Sequence, residues 1–191
     1  MEKIPEIVTG FLYRESIIGK EDIEICRYGI QISMANLINF CIAFGIGIML
    51  HAVAEIVIFY VAFVSLRFFC GGYHADSYGK CFFLFAVTCL AHLALVEGFA
   101  ALGGNSGVLL AAALAVLGAC VLVKAPIEHS NRPFAEWERK HFRKRSMQMY
   151  LLWSGIGVIL WALRAERLSA GLTSVFIIIS VYMIVGRRAR T

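Results

Sequence analysis

The chain has 191 residues, of which 60% are hydrophobic and 16% charged, with a formal net charge of +5. A soluble domain carries roughly 45–50% apolar residues, interrupted by polar ones at regular spacing. The composition therefore excludes an ordinary water-soluble fold and gives no footing for a nucleic-acid partner. Unbroken apolar runs without period-two alternation also exclude a membrane β-barrel, which leaves an all-α polytopic membrane protein.

Residues 1–27 read as a cytoplasmic amphipathic segment. Six acids interrupt the bases, and no apolar core precedes a small-residue cleavage site, so this is not a secretory signal. Ile4, Ile7, Val8, Phe11 and Leu12 recur at helical spacing behind Pro5. Such a helix would lie on the membrane surface or pack, solvated, on the segment that follows. Residues 28–191 then form a membrane domain. A bilayer core needs roughly 20 mostly apolar residues per helix, and six runs qualify: 28–50, 52–70, 81–102, 106–123, 147–163 and 168–186. Gly45 and Gly47, like Ser154 and Gly157, give small-residue faces for close helix packing.

Lys and Arg in short loops set orientation. With the N-terminus inside, four fall in residues 1–27, Arg67 and Lys80 flank the second loop, seven lie between 124 and 145, and three are in the tail. Only Arg164 and Arg167 face outward. Both termini are expected in the cytoplasm, with the loop after the second span.

That loop holds the stretch RFFCGGYHADSYGKC, Arg67 to Cys81. Gly71-Gly72 stops the second helix and admits backbone angles closed to other residues. His74 and Cys81, on one unbroken helix, would sit roughly 10 Å apart along the axis, too far for a thiol–imidazole pair. A bend around Asp76, Ser77 and Gly79 would return His74 to the start of the third span. There the helix N-terminus, Lys80 and Arg67 favour a reactive thiol. The residues alone leave three readings open: a catalytic pair, a plain turn beside a buried small hydrophobe, or a metal site. The spacing C-x3-H-x6-C of Cys70, His74 and Cys81 matches no common zinc pattern, and the six cysteines stand singly without CxxC.

The pattern R-x3-GG-x-HA-x5-C, formed by Arg67, Gly71, Gly72, His74, Ala75 and Cys81, resembles the signature of the AgrB (accessory gene regulator B) membrane endopeptidases of Gram-positive bacteria. Tyr28-Gly29, Asn36 and Asn39 resemble the family's first-span pattern. Ala125-Pro126-Ile127-Glu128 with Asn131 and Pro133 is similar to its loop AP-x-[DE]-x2-N-x-P. The resemblance implies a cysteine endopeptidase of the cell membrane, needing no metal or cofactor, with its active site on the cytoplasmic side. It would remove the acidic C-terminal tail of an AgrD-like precursor peptide and help close a thiolactone or lactone ring. Carried over, Cys81 is the nucleophile and His74 its base. Gly71, Gly72 and Arg67 would serve the oxyanion or position substrate, and Asp76, Glu128 and Asn131 are possible supports for His74. Membrane lipid is a further partner, and a homodimer is compatible with the sequence.

The loop from Lys124 to Ser146 carries seven bases and three acids. It could bind anionic lipid, at roughly 1 kcal/mol per base, or the acidic tail of the precursor. Pro126 and Pro133 disfavour helix before them, so 125–133 should be an extended connection near the site. His92, Glu97 and Glu55 fall towards the outer ends of their spans, where a structural role is expected. The rival from another class is a small transporter or peptide exporter. Against it, the chain has no inverted internal repeat and no paired interrupted helices.

Overall fold

The computed structural model describes residues 3–72, 77–102, 106–127 and 135–188. Their elements are α1 (Lys3–Arg14), a 3-10 turn (Lys20–Asp22), α2 (Ile23–Met49), α3 (Val53–Cys70), α4 (Tyr78–Ala100), α5 (Ser106–Lys124), α6 (Glu136–Ala162) and α7 (Glu166–Arg188). No strand occurs among the described residues. Five segments are long and apolar enough to cross a membrane: Lys20–Met49, Val53–Cys70, Tyr78–Ala100, Ser106–Lys124 and Glu166–Gly186. The protein is a multi-pass membrane protein.

The sixth expected run, 147–163, is the apolar half of α6, and α6 is not among the five. Charges crowd the first turns of this helix and dilute its hydropathy. Helix nonetheless extends back to Glu136 because local polar contacts support it. Glu138 accepts from the Ala135 N–H at 2.9 Å, and Lys140 pairs with Glu136 at 3.1 Å.

The chain divides into two compact units, Met1–Ile42 and Ala43–Thr191. In the first, α1 leaves Ile4, Ile7 and Phe11 exposed on one side, while Thr9 is buried and donates to the Pro5 carbonyl at 2.6 Å. Arg27 meets Glu24 at 2.7 Å and Glu6 at 3.9 Å.

The second unit is built around α7, which packs against α3, α4, α5 and α6. Its apolar window is 67% buried, against 39% for α3 and 33% for α4 and α5. Val175, Phe176, Ile179 and Met183 fill the centre. Three α7 hydroxyls bond within the helix, Ser180 donating to Phe176 O at 2.7 Å, Thr173 to Ser169 O at 2.9 Å and Ser174 to Gly171 O at 2.8 Å. Small hydroxylated residues therefore let neighbours approach without leaving a polar atom unmatched. Outside, Val57, Val61, Phe83, Val87, Val108 and Val116 are exposed, as expected of a surface solvated by lipid.

Two sets of contacts fix which helix ends lie together. Arg167, opening α7, reaches Glu55 at the start of α3 and Glu97 near the end of α4, both at 2.6 Å. His92 lies close by in sequence and contact. Its Nε2 donates to the Glu55 carbonyl at 3.1 Å, Nδ1 is 2.6 Å from Ser174 Oγ, and the ring stacks on Phe59. Glu55, His92 and Glu97 thus tie helices together, which fits the structural role expected of them. At the opposite end Ile127, just past α5, donates to the Cys70 carbonyl at 2.9 Å, and Ser146 Oγ lies 2.8 Å from Phe69 O. Between the two ends runs α6, bound to α3 by a 2.8 Å hydrogen bond from Trp153 Nε1 to Ser65 Oγ.

Candidate active site

The site lies where α3 stops. The helix ends at Cys70, and the Gly71 N–H turns back onto Arg67 O at 3.0 Å. Gly71 has φ 74° and ψ −161°, a region essentially closed to residues with a Cβ. A Cβ there would also run into the Ile127 carbonyl oxygen. Glycine at 71 therefore lets the 125–127 segment lie alongside as an isolated parallel bridge, Gly71 to Ile127. The part of the 125–133 connection that the structure describes is non-helical and docks beside the glycines, as expected. Gly72, at φ 143°, packs against the backbone and Cβ of Tyr182 on α7.

On the other side of the loop, Ser77 caps α4, its Oγ accepting from the Lys80 N–H at 3.4 Å. The Cys81 N–H donates to the Ser77 carbonyl at 3.0 Å, so Cys81 stands one turn into the helix, half-buried. The bend expected at Gly79 is corrected here. Gly79 is helical, because the Ser77 side chain caps α4 ahead of it.

Arg67 is the cation of the site. Its Cζ lies 4.6 Å from the centroid of the Tyr182 ring and 5.7 Å from that of Phe63. The two rings meet edge to face at 5.6 Å. The fold thus sets Arg67, Gly71 and Gly72 at the end of α3 and Cys81 one turn into α4. His74 and Asp76, and likewise Glu128 and Asn131, lie outside the described residues. The arrangement offers a half-buried thiol one turn into a helix, an arginine held against two aromatic rings and a tight glycine turn.

The family model described as AgrB, accessory gene regulator B, matches residues 6–185. The chain belongs to the AgrB family. Two proteins of Clostridium perfringens, one from strain SM101 (Type A) and one from strain 13 (Type A), are named only as AgrB-like. Each is 25% identical to this chain over 163 residues, covering 83% of it and 76% of the relative. No solved structure matches the chain significantly. AgrB membership suggests a role in processing an accessory gene regulator peptide, and it embraces both helix ends that form the site.

Sequence reasoning missed Tyr182 and Thr88. Tyr182 Oη is 2.7 Å from Thr88 Oγ1 although 94 positions separate the two residues. One usable signal existed: Thr88 follows Cys81 by two helical turns, which sets both on one face of α4.

Proposed function

We propose that this AgrB protein is a membrane-embedded cysteine endopeptidase that cleaves an AgrD-like precursor and promotes its cyclisation. The observation that carries the reading is Cys81 half-buried one turn inside α4, beyond a Gly71–Gly72 turn whose backbone excludes side chains. His74 takes the proton of Cys81, and Sγ attacks the carbonyl at the cleavage point. The C–N bond breaks, the tail leaves as an amine with the proton carried by His74, and a thioester remains on Cys81. A Cys or Ser side chain of the held peptide then attacks the thioester, closing a thiolactone or lactone and restoring the thiol. Restricting water at the membrane boundary preserves the thioester for that second transfer.

The oxyanion needs donors not already engaged. The amides of Gly71, Lys80 and Cys81 are bonded to Arg67 O, Ser77 Oγ and Ser77 O. We assign the role to Gly72 and to the first-turn amides of Tyr78 and Gly79, which a helix leaves without intrahelical acceptors. Losing one such donor typically costs ~10²–10³ in rate.

We read α6 as a sixth crossing, with both termini and the site on the cytoplasmic face. Supporting this, the helix joins the end holding Gly71 to the end holding Arg167, and Lys124 and the bases from Arg139 to Arg145 lie towards the former. α1 is read as a helix lying in that interface.

The test is precursor cleavage by purified protein in lipid vesicles. Cys81→Ala should abolish cleavage while helical circular dichroism stays intact, and a chelator should leave the wild type fully active. Undiminished cleavage by Cys81→Ala would remove the protease reading. Translocation of uncleaved peptide by that variant would favour an exporter.

A further inference from the structure

We propose that Tyr182 is a positioning residue that holds the Arg67 guanidinium beside Cys81, making α7 the third wall of the site. The inference rests on Cys81 being the nucleophile. An arginine this near the inner end of a span would ordinarily extend its head towards the water. Here the guanidinium lies over two aromatic rings set at right angles, 4.6 Å from the Tyr182 centroid and 5.7 Å from that of Phe63. A desolvated cation gains most from such a face.

The tyrosine ring is held from three directions. Thr88 Oγ1 is 2.7 Å from the Leu84 carbonyl, which takes its single proton. The 2.7 Å contact between Tyr182 Oη and Thr88 Oγ1 is therefore donated by the tyrosine. Because Thr88 shares the Cys81 face of α4, the hydroxyl is anchored to the helix that carries the thiol. Phe63 of α3 meets the ring edge-on. Finally, the Tyr182 backbone and Cβ lie against Gly72, at 3.3 Å and 3.4 Å from where a Cβ on that glycine would stand. One residue of α7 thus touches the glycine turn and the arginine, and bonds to the helix of the nucleophile. The arrangement sets a fixed positive charge where negative charge develops during acyl transfer, with no reorganisation at the moment of reaction.

The experiment measures this charge directly and needs no identified precursor. Purified full-length protein is alkylated with iodoacetate or with iodoacetamide, and modification of the Cys81 peptide is followed by mass spectrometry. The two reagents differ in charge and little in size, so the ratio of their rates reports the field at the sulfur. General loosening of the fold moves both rates together. Tyr182→Leu should lower the iodoacetate-to-iodoacetamide ratio about tenfold, the scale of a desolvated cation–π contact. Arg67→Gln should lower it equally, and the double variant no further. Tyr182→Phe and Tyr182→Trp should restore most of the ratio, since they keep an aromatic face. An unchanged ratio in Tyr182→Leu, or a double variant whose loss is the product of the two single losses, overturns the proposal. Should Tyr182→Leu not fold, Thr88→Val removes only the hydroxyl anchor. It should lower the ratio roughly two- to threefold, a fraction of the full cation–π effect, and no change there overturns the proposal as well. Cleavage by Cys81→Ala would sink the nucleophile reading separately, because the ratio does not depend on cleavage.

Discussion

A single absent Cβ governs the turn that follows α3. At φ 74° and ψ −161°, Gly71 occupies backbone space that costs other residues on the order of 1–3 kcal/mol, and Ile127 fills the volume where a side chain would begin. Gly71→Ala is therefore expected to push the 125–127 segment away and lower precursor cleavage at least tenfold, at unchanged helical content by circular dichroism. Near-normal cleavage would mean that docking of this segment is irrelevant to the site. How legible each residue was follows from the range of its interactions. Arg67, Gly71, Gly72 and Cys81 lie within fifteen consecutive positions, so their grouping shows in the chain itself. Tyr182 is one hydroxyl in an apolar span, and its partners Thr88, Arg67 and Gly72 are brought to it only by helix packing. No local pattern encodes that.

At the scale of elements, hydropathy located the apolar centres of the helices well and their ends poorly, because ends are set by capping. Ser77 starts α4 ahead of the apolar run at 81, and Glu138 helps start α6 well ahead of 147. The opposite ends of three helices depend on Arg167. It is half-exposed and binds two unlike carboxylates: the Glu55 side chain is 10% exposed and that of Glu97 65%. Exposed pairs contribute at most about 1 kcal/mol, whereas removing the partner of a buried carboxylate strands its charge. Arg167→Leu is accordingly expected to destabilise the protein by about 1–2 kcal/mol, and Glu97→Gln by less than about 0.5 kcal/mol. Glu55→Gln combined with Arg167→Leu should recover part of the loss. Thermal unfolding in detergent measures all three. Equal effects of Arg167→Leu and Glu97→Gln would show that burial of Glu55 contributes nothing to the tie.

For the whole molecule the open quantity is the number of crossings, and geometry bears on it more directly than composition. If α6 did not cross, the chain would leave α5 and enter α7 on the same side of the membrane. Yet the α5 exit is bonded to Cys70, and the α7 entrance is bonded to Glu55 at the other end of the same helix, α3. From Lys144 to Ala162, α6 rises about 27 Å, close to the ~30 Å hydrocarbon core. The long bases at its start can extend towards the headgroups to cover the difference. Single cysteines placed in a cysteine-free background separate five crossings from six. Lys144 and Arg164 are both exposed and flank the apolar part of α6. In intact cells a membrane-impermeant maleimide should label Arg164→Cys, and it should reach Lys144→Cys only after permeabilisation. Labelling of both from one side would leave α6 on the membrane surface and detach the basic helix from the Cys81 face. Labelling of Lys144→Cys alone would invert the molecule and place the nucleophile where no cytoplasmic precursor could reach it.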